Sequence, residues 1–84
     1  MQVMMYTLTT CSWCRKAKEY FRDSNVLFDH VDYDLAGAEE QRKILQEMSD
    51  HGSNSFPFVK IGGEVVVGYD PEKYSDLLKR EAMP

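Results

Sequence analysis

Two short β-prone runs, Phe58-Val59-Lys60-Ile61 and Glu64-Val65-Val66-Val67, are separated only by Gly62-Gly63. A glycine pair supplies the positive φ that two-residue turns need, so the runs predict an antiparallel hairpin with a fixed register. A lone hairpin is marginal in water and needs more strands, or a helix, against one face. With 84 residues in all, fewer than the ~100–200 usual for a domain, the rest of the chain must join that hairpin. The expectation is one domain over residues 1–84.

Upstream, strand and helix patterns alternate. Val3-Met4-Met5-Tyr6-Thr7-Leu8 reads as a buried strand, and Thr9-Thr10 ends it with possible N-cap hydroxyls. From Trp13 to about Asn25, Ala17, Tyr20 and Phe21 recur at helical spacing, while Arg15, Lys16, Lys18, Glu19 and Arg22 take the wet side. Asn25 can stop that helix in the left-handed conformation. A second strand over about Val26 to Tyr33 leads through Asp34-Leu35-Ala36-Gly37 into a helix from about Ala38 to Asp50. Ala38, Ile44, Leu45 and Met48 form its apolar face, and Glu39-Glu40 suit the positive end of its dipole. His51 to Ser55 is loop by composition. After the hairpin, Asp70-Pro71 offers an N-cap followed by proline at the first helical position. The last helix buries Tyr74, Leu77 and Leu78 and frays near Met83-Pro84. The order β-α-β-α-β-β-α demands a right-handed parallel crossover first and an antiparallel pair last. That is an α/β fold: a four-stranded mixed sheet covered by three helices.

Ten Lys and Arg against fourteen Asp and Glu give a net charge of -4, where a nucleic-acid surface would show a basic excess. A hydrophobic fraction of 43% with 29% charged residues suits a soluble globular protein and is too apolar for disorder. The start at Met1-Gln2-Val3 lacks the basic and long apolar regions of a signal peptide, and no run approaches the ~18 apolar residues of a membrane span. The expected location is the cytoplasm, with neither nucleic acid nor membrane as partner.

Cys11 and Cys14 are the chain's two cysteines. A disulfide scaffold would spread several along the chain; a bridge between these two closes so short a loop that it would add only about 2 kcal/mol before strain. It is a weak staple and a sensible reversible switch. The pair sits where the first strand gives way to the first helix, whose opening N–H groups lack partners and whose dipole favours negative charge. Cys11 is therefore expected to have a lowered pKa and to be the nucleophile, with Cys14, one turn on, as the resolving thiol. A zinc site would want four ligands, and His30 and His51 lack the spacing; no metal ligand is assigned. Two inert core cysteines are the remaining alternative.

Taken together, Tyr6-Thr7-Leu8-Thr9-Thr10-Cys11-Ser12-Trp13-Cys14, Ser55-Phe56-Pro57 and Val67-Gly68-Tyr69-Asp70 resemble the three signatures of the glutaredoxins, in order and across essentially the whole chain. The resemblance implies a thioredoxin-like fold and a dithiol oxidoreductase that reduces protein disulfides or glutathione mixed disulfides. It implies a monomer with no bound cofactor and glutathione as reducing co-substrate. It makes Pro57 a cis-proline facing the dithiol, which sequence alone would leave an ordinary strand-start proline, and lets the Phe56 backbone pair with bound peptide or glutathione. Trp13, Phe56, Gly68, Tyr69 and Asp70 match glutathione-site positions. Three places depart from the family: Leu8 stands where many members carry Lys, Ser12-Trp13 replaces Pro-Tyr, and Pro71 replaces the second of two acids. Two further roles stay open. One is a redoxin, like those serving ribonucleotide reductase, reduced by a thioredoxin-reductase-type flavoenzyme. The other is a dimer holding a [2Fe–2S] cluster, as in some members with Ser after the first cysteine.

Among secondary features, Arg15, Lys16 and Lys18 read as a basic patch that could steer an anionic substrate or simply be a solvated face. Trp13 should be partly exposed beside the nucleophile, where it could touch substrate. His51 could approach the active face or be plain loop, His30 reads as structural, and Tyr69 as a cap on the last strand. The methionines read as core filler.

Overall fold

Side-chain alternation along the strands sorts the core into two layers. The computed structural model describes residues 2–82. Its strands are β1 (Val3–Thr7), β2 (Asp29–Asp32), β3 (Phe58–Ile61) and β4 (Glu64–Val67), and its helices are α1 (Ser12–Asp23), α2 (Ala38–Asp50) and α3 (Pro71–Ala82). The sheet order is β2-β1-β3-β4, with β1 and β2 parallel and the other neighbours antiparallel. The chain thus has the expected mixed four-stranded sheet with three helices.

Successive strand residues face opposite sides of a sheet. Val3 and Met5 of β1, Val59 and Ile61 of β3 and Val66 of β4 pack with Ala17 and Phe21 of α1 and Tyr74 and Leu77 of α3. Tyr6 and Phe58 point the other way, onto Ile44 and Met48 of α2. Lys60 follows Phe58 by two residues and shares that second face. There its ammonium lies 2.8 Å from the Glu47 carboxylate and donates to the Tyr6 hydroxyl at 3.1 Å, and the Tyr6 hydroxyl donates to Glu47 at 2.5 Å. These half-buried polar groups satisfy one another, so the layer tolerates a charge.

Local chemistry sets the helix ends. Asn25 takes φ 58°, Asn25 N–H donates to Arg22 C=O at 3.1 Å and Val26 N–H to Phe21 C=O at 2.9 Å, the paired bonds of a Schellman stop. Asp70 caps α3 through the Lys73 N–H at 3.2 Å. At the hairpin, Ile61 faces Glu64 across a turn in which Gly62 has φ 60°, a conformation that costs glycine little.

Several expectations need correction. The second strand begins at Asp29 rather than Val26, because the stop of α1 uses the Val26 N–H. It ends at Asp32, since Tyr33–Leu35 curl into a short 3-10 helix. α1 starts at Ser12 and its N-cap is Cys11, so the Thr9 and Thr10 hydroxyls do not cap it. Ala38 is exposed and Leu45 is 44% exposed, leaving Ile44 and Met48 as the buried face of α2. Lys18 is not part of a solvated patch: it turns beneath α1 to Asp32. The expected fray at Met83-Pro84 lies outside the described residues.

Candidate functional site

Register brings three separate chain segments to one end of the sheet. Tyr6 pairs with Phe58 and Phe58 pairs with Val67. The chain leaving β1 toward Cys11, the Phe56-Pro57 segment entering β3 and the Gly68-Tyr69-Asp70 segment leaving β4 therefore lie side by side. The peptide bond between Phe56 and Pro57 is cis, as the resemblance implied. Pro57 C=O accepts the Gly68 N–H at 2.8 Å, and Gly68 adopts φ 88°, where a side chain would be strained. The buried Tyr74 hydroxyl donates to Gly68 C=O, so α3 holds the same loop from beneath. Burial pushes that phenol above its ordinary range.

The two thiols occupy unlike places. Cys11 is the half-buried N-cap of α1, and its Sγ accepts the Cys14 N–H at 3.1 Å. That N–H is aimed at the sulfur from the positive end of the helix. Cys14 is 1% exposed on the inward face of α1. Burial first, and its hydrogen bond with Cys11 second, push its thiol up from 9.0 to about 12. One sulfur is thus reachable, and the other is buried and favoured as a thiol.

Around them, Trp13 is 55% exposed and stacks on Tyr69 with centroids 5.9 Å apart. The Lys16 ammonium lies 5.1 Å from the Trp13 ring, close enough for a cation–π contact. Tyr69 also meets the edge of Tyr74, so it links the exposed aromatic surface to the core. Phe56 packs its ring on Tyr33 at 5.5 Å, while its backbone lies beyond the paired residues of β3, which begin at Phe58. The Asp70 carboxylate is engaged in capping α3. His51 caps the far end of α2, with Nδ1 3.0 Å from Glu47 C=O and its ring against Phe58; its contacts are structural. Among the described residues no group of three or more His, Cys, Asp or Glu side chains is placed to hold a metal ion, and no helix is long and apolar enough to cross a membrane.

Two supports were not legible beforehand. Asp34 accepts the Thr9 N–H at 3.0 Å and the Thr9 hydroxyl, clamping the loop just before Cys11. Those hydrogen bonds hold its carboxyl below the usual range. Thr7 is fully buried and donates its hydroxyl to Asp32 at 2.6 Å. Each contact joins residues 25 positions apart, which no local pattern reveals.

Comparison with known proteins agrees with this fold. The glutaredoxin family model matches residues 3–66. A glutaredoxin-like 8.6 kDa protein of the Clostridium pasteurianum rubredoxin operon is 28% identical over 78 residues, covering 93% of this chain and 99% of its own. The glutaredoxin of Archaeoglobus fulgidus superposes with a TM-score of 0.84 at 34% identity, over 93% of this chain and 86% of that one. The methanoredoxin of Methanosarcina acetivorans gives 0.84 at 33% identity, over 92% and 83%.

Proposed function

This chain belongs to the glutaredoxin family and is a redoxin of the thiol oxidoreductase type, and from that premise we propose that it reduces protein disulfides or glutathione mixed disulfides through Cys11 and Cys14. The observation that carries the reading is the inequality of the two thiols: Cys11 reachable at the helix N-terminus, Cys14 buried and held as a thiol.

The Cys11 thiolate attacks one sulfur of the target disulfide, forming a mixed disulfide as the other target sulfur leaves. Cys14 loses its proton to solvent and attacks Cys11 Sγ. The Cys11–Cys14 bond forms, and the target's second sulfur leaves as a thiolate that takes a proton from water. The target gains two electrons and the dithiol loses them. The unpaired Phe56 backbone, next to cis-Pro57, is the place where an extended peptide or glutathione would pair, and Trp13, Gly68, Tyr69 and Asp70 line the neighbouring surface. Glutathione is the proposed reductant, with no bound cofactor, and the working form is a monomer in the reducing cytoplasm. A second reading, reduction by a thioredoxin-reductase-type flavoenzyme, is favoured by Leu8 and Pro71, which put neither a cation nor a second carboxylate where a glutathione carboxylate or amine would use one.

The test is to place the oxidised protein anaerobically in glutathione buffers of increasing reducing ratio, quench with acid and count thiols by mass spectrometry. Reduction with a glutathionyl adduct on Cys11 is expected; a disulfide that survives the series would replace glutathione by the flavoenzyme. Cys11→Ser should abolish disulfide reduction, and full activity in that variant would end the nucleophile assignment.

A further inference from the structure

The resolving step sets a physical problem. Cys14 is buried, and to attack Cys11 it must become an anion there. Burial opposes that charge, and a backbone hydrogen bond at Leu8 offsets it only in part.

Lys18 lies on the same side of α1, four residues beyond Cys14, where side chains on a helix are neighbours with Cβ atoms about 5–6 Å apart. It is not a free surface lysine. Its Nζ is 3.6 Å from Asp32 Oδ1, and the two side chains are 21% and 19% exposed. Asp32 is itself fixed: its Oδ1 accepts the buried Thr7 hydroxyl at 2.6 Å, and its Oδ2 lies 3.7 Å from His30 Nε2. Parallel register puts Thr7 opposite Asp32 at the end of β1, directly before the loop to Cys11. Thr7 and Asp32 thus form a polar shelf under the N-terminal half of α1, and the shelf keeps the Lys18 ammonium at the buried side of the helix rather than in solvent.

We propose that Lys18 is a positioning residue for the resolving step: held by Asp32 and Thr7, its ammonium stabilises the thiolate that Cys14 becomes when it attacks the Cys11 mixed disulfide. This rests on the dithiol reading above. Lys18 takes no proton; the Cys14 proton passes to water, and the electron and atom balance is the one already given. The same ammonium acts to lower the Cys14 thiol, against the larger effect of burial. Each unit of thiol pKa changes the thiolate fraction tenfold and the thiolate's nucleophilicity about threefold in the opposite sense. A cation that lowered the thiol by one unit would on that basis speed release about threefold, and its loss should slow release by about that factor.

The test is a single turnover. Reduced protein is mixed with a model peptide carrying an internal disulfide, quenched with acid at intervals, and the Cys11–peptide adduct is followed by mass spectrometry. In Lys18→Met the adduct should form at the wild-type rate and decay about threefold more slowly, and Lys18→Arg should restore most of the decay rate. In the Cys14→Ser background, Lys18→Met should leave adduct formation unchanged. Decay at the wild-type rate in Lys18→Met would overturn the proposal. So would an equal slowing of adduct formation in the Cys14→Ser background, because Lys18 would then serve Cys11 or the helix as a whole. Cys14→Ser by itself should trap the adduct; if its adduct decayed normally, the dithiol reading would fail, and this inference with it.

Discussion

Replacing Cys14 with Ala should remove a specific part of the protein's alkaline instability. The buried thiol of the reduced protein is pushed from 9.0 to about 12, whereas the unfolded chain ionises near 9.0. The native state keeps a proton that the unfolded state has released, so stability from this group is complete below pH 9 and is lost as pH rises toward 12. At pH 10 the unfolded thiol is ionised about ten to one, and the loss relative to pH 7.5 is about 1 kcal/mol. That figure hardly depends on whether the native value is 11 or 12, because at pH 10 the native thiol is protonated in both cases. For a domain of this size about 1 kcal/mol corresponds to roughly 4–8 °C in Tm. Urea unfolding of reduced wild type and Cys14→Ala, each at pH 7.5 and pH 10, isolates the effect as a difference of differences. Cavity cost is common to both pH values, and the titration of Tyr6 and Lys60 is common to both proteins, so these cancel. Equal alkaline losses in the two proteins would refute the claim that Cys14 is held as a thiol, and with it the account of why the second sulfur waits.

Other consequences follow from particular contacts. Burial works to raise the Glu47 carboxyl, but hydrogen bonds from Lys60 and Tyr6 outweigh it and hold it below the ordinary 4.5; the stability it adds is present above that pH and lost on acidification. Glu47→Gln should flatten the denaturant midpoint between pH 5 and pH 3, by under about 1 kcal/mol because both partners are partly exposed, and parallel acid profiles would contradict this. Phe21 is fully buried against Tyr20, Phe28 and Tyr74, so Phe21→Ala should cost about 3–5 kcal/mol in urea unfolding; a loss below 1 kcal/mol would mean the two-helix layer is not the main core. Trp13→Ala removes an exposed stack on Tyr69 and should shift stability by less than about 1 kcal/mol while raising KM for a disulfide peptide. An unchanged KM would remove Trp13 from the substrate surface.

Patterns confined to a few neighbouring residues carried most of the fold. Asn25 and Asp70 act where they stand, through their own backbone and the next turn, and the Gly62-Gly63 hairpin appears with the bounds its pattern implied. Errors arose where a residue's environment is set by a distant partner. Val26 to Phe28 have strand-like chemistry, yet β2 waits until Asp29 because the Val26 N–H is committed to Phe21. Leu45 is apolar at nearly the right helical angle, but α2 meets the sheet through Ile44 and Met48, and the residue beside them is left 44% exposed. Periodicity gives a face to within a residue; packing decides which residue of a pair is inside.

The same distinction separates the legible and illegible parts of the candidate site. Cys11 and Cys14 could be read because their spacing and their place at a strand-to-helix junction are local. The cis bond at Pro57 could not, since it depends on a loop tied to Gly68, and only the family resemblance pointed to it. Lys18 was misread for an instructive reason: a helix seen from its sequence assigns lysine to the wet side, yet an aspartate on a strand can draw the ammonium under the helix. Asp32 became that partner through parallel pairing with β1, which places it opposite Thr7. The dithiol mechanism proposed above asks for unequal sulfurs. Helix geometry supplies one half, by exposing Cys11 and turning Cys14 inward. The other half involves an element distant in sequence: Asp32 of β2 holds the Lys18 ammonium on the side of α1 that carries Cys14.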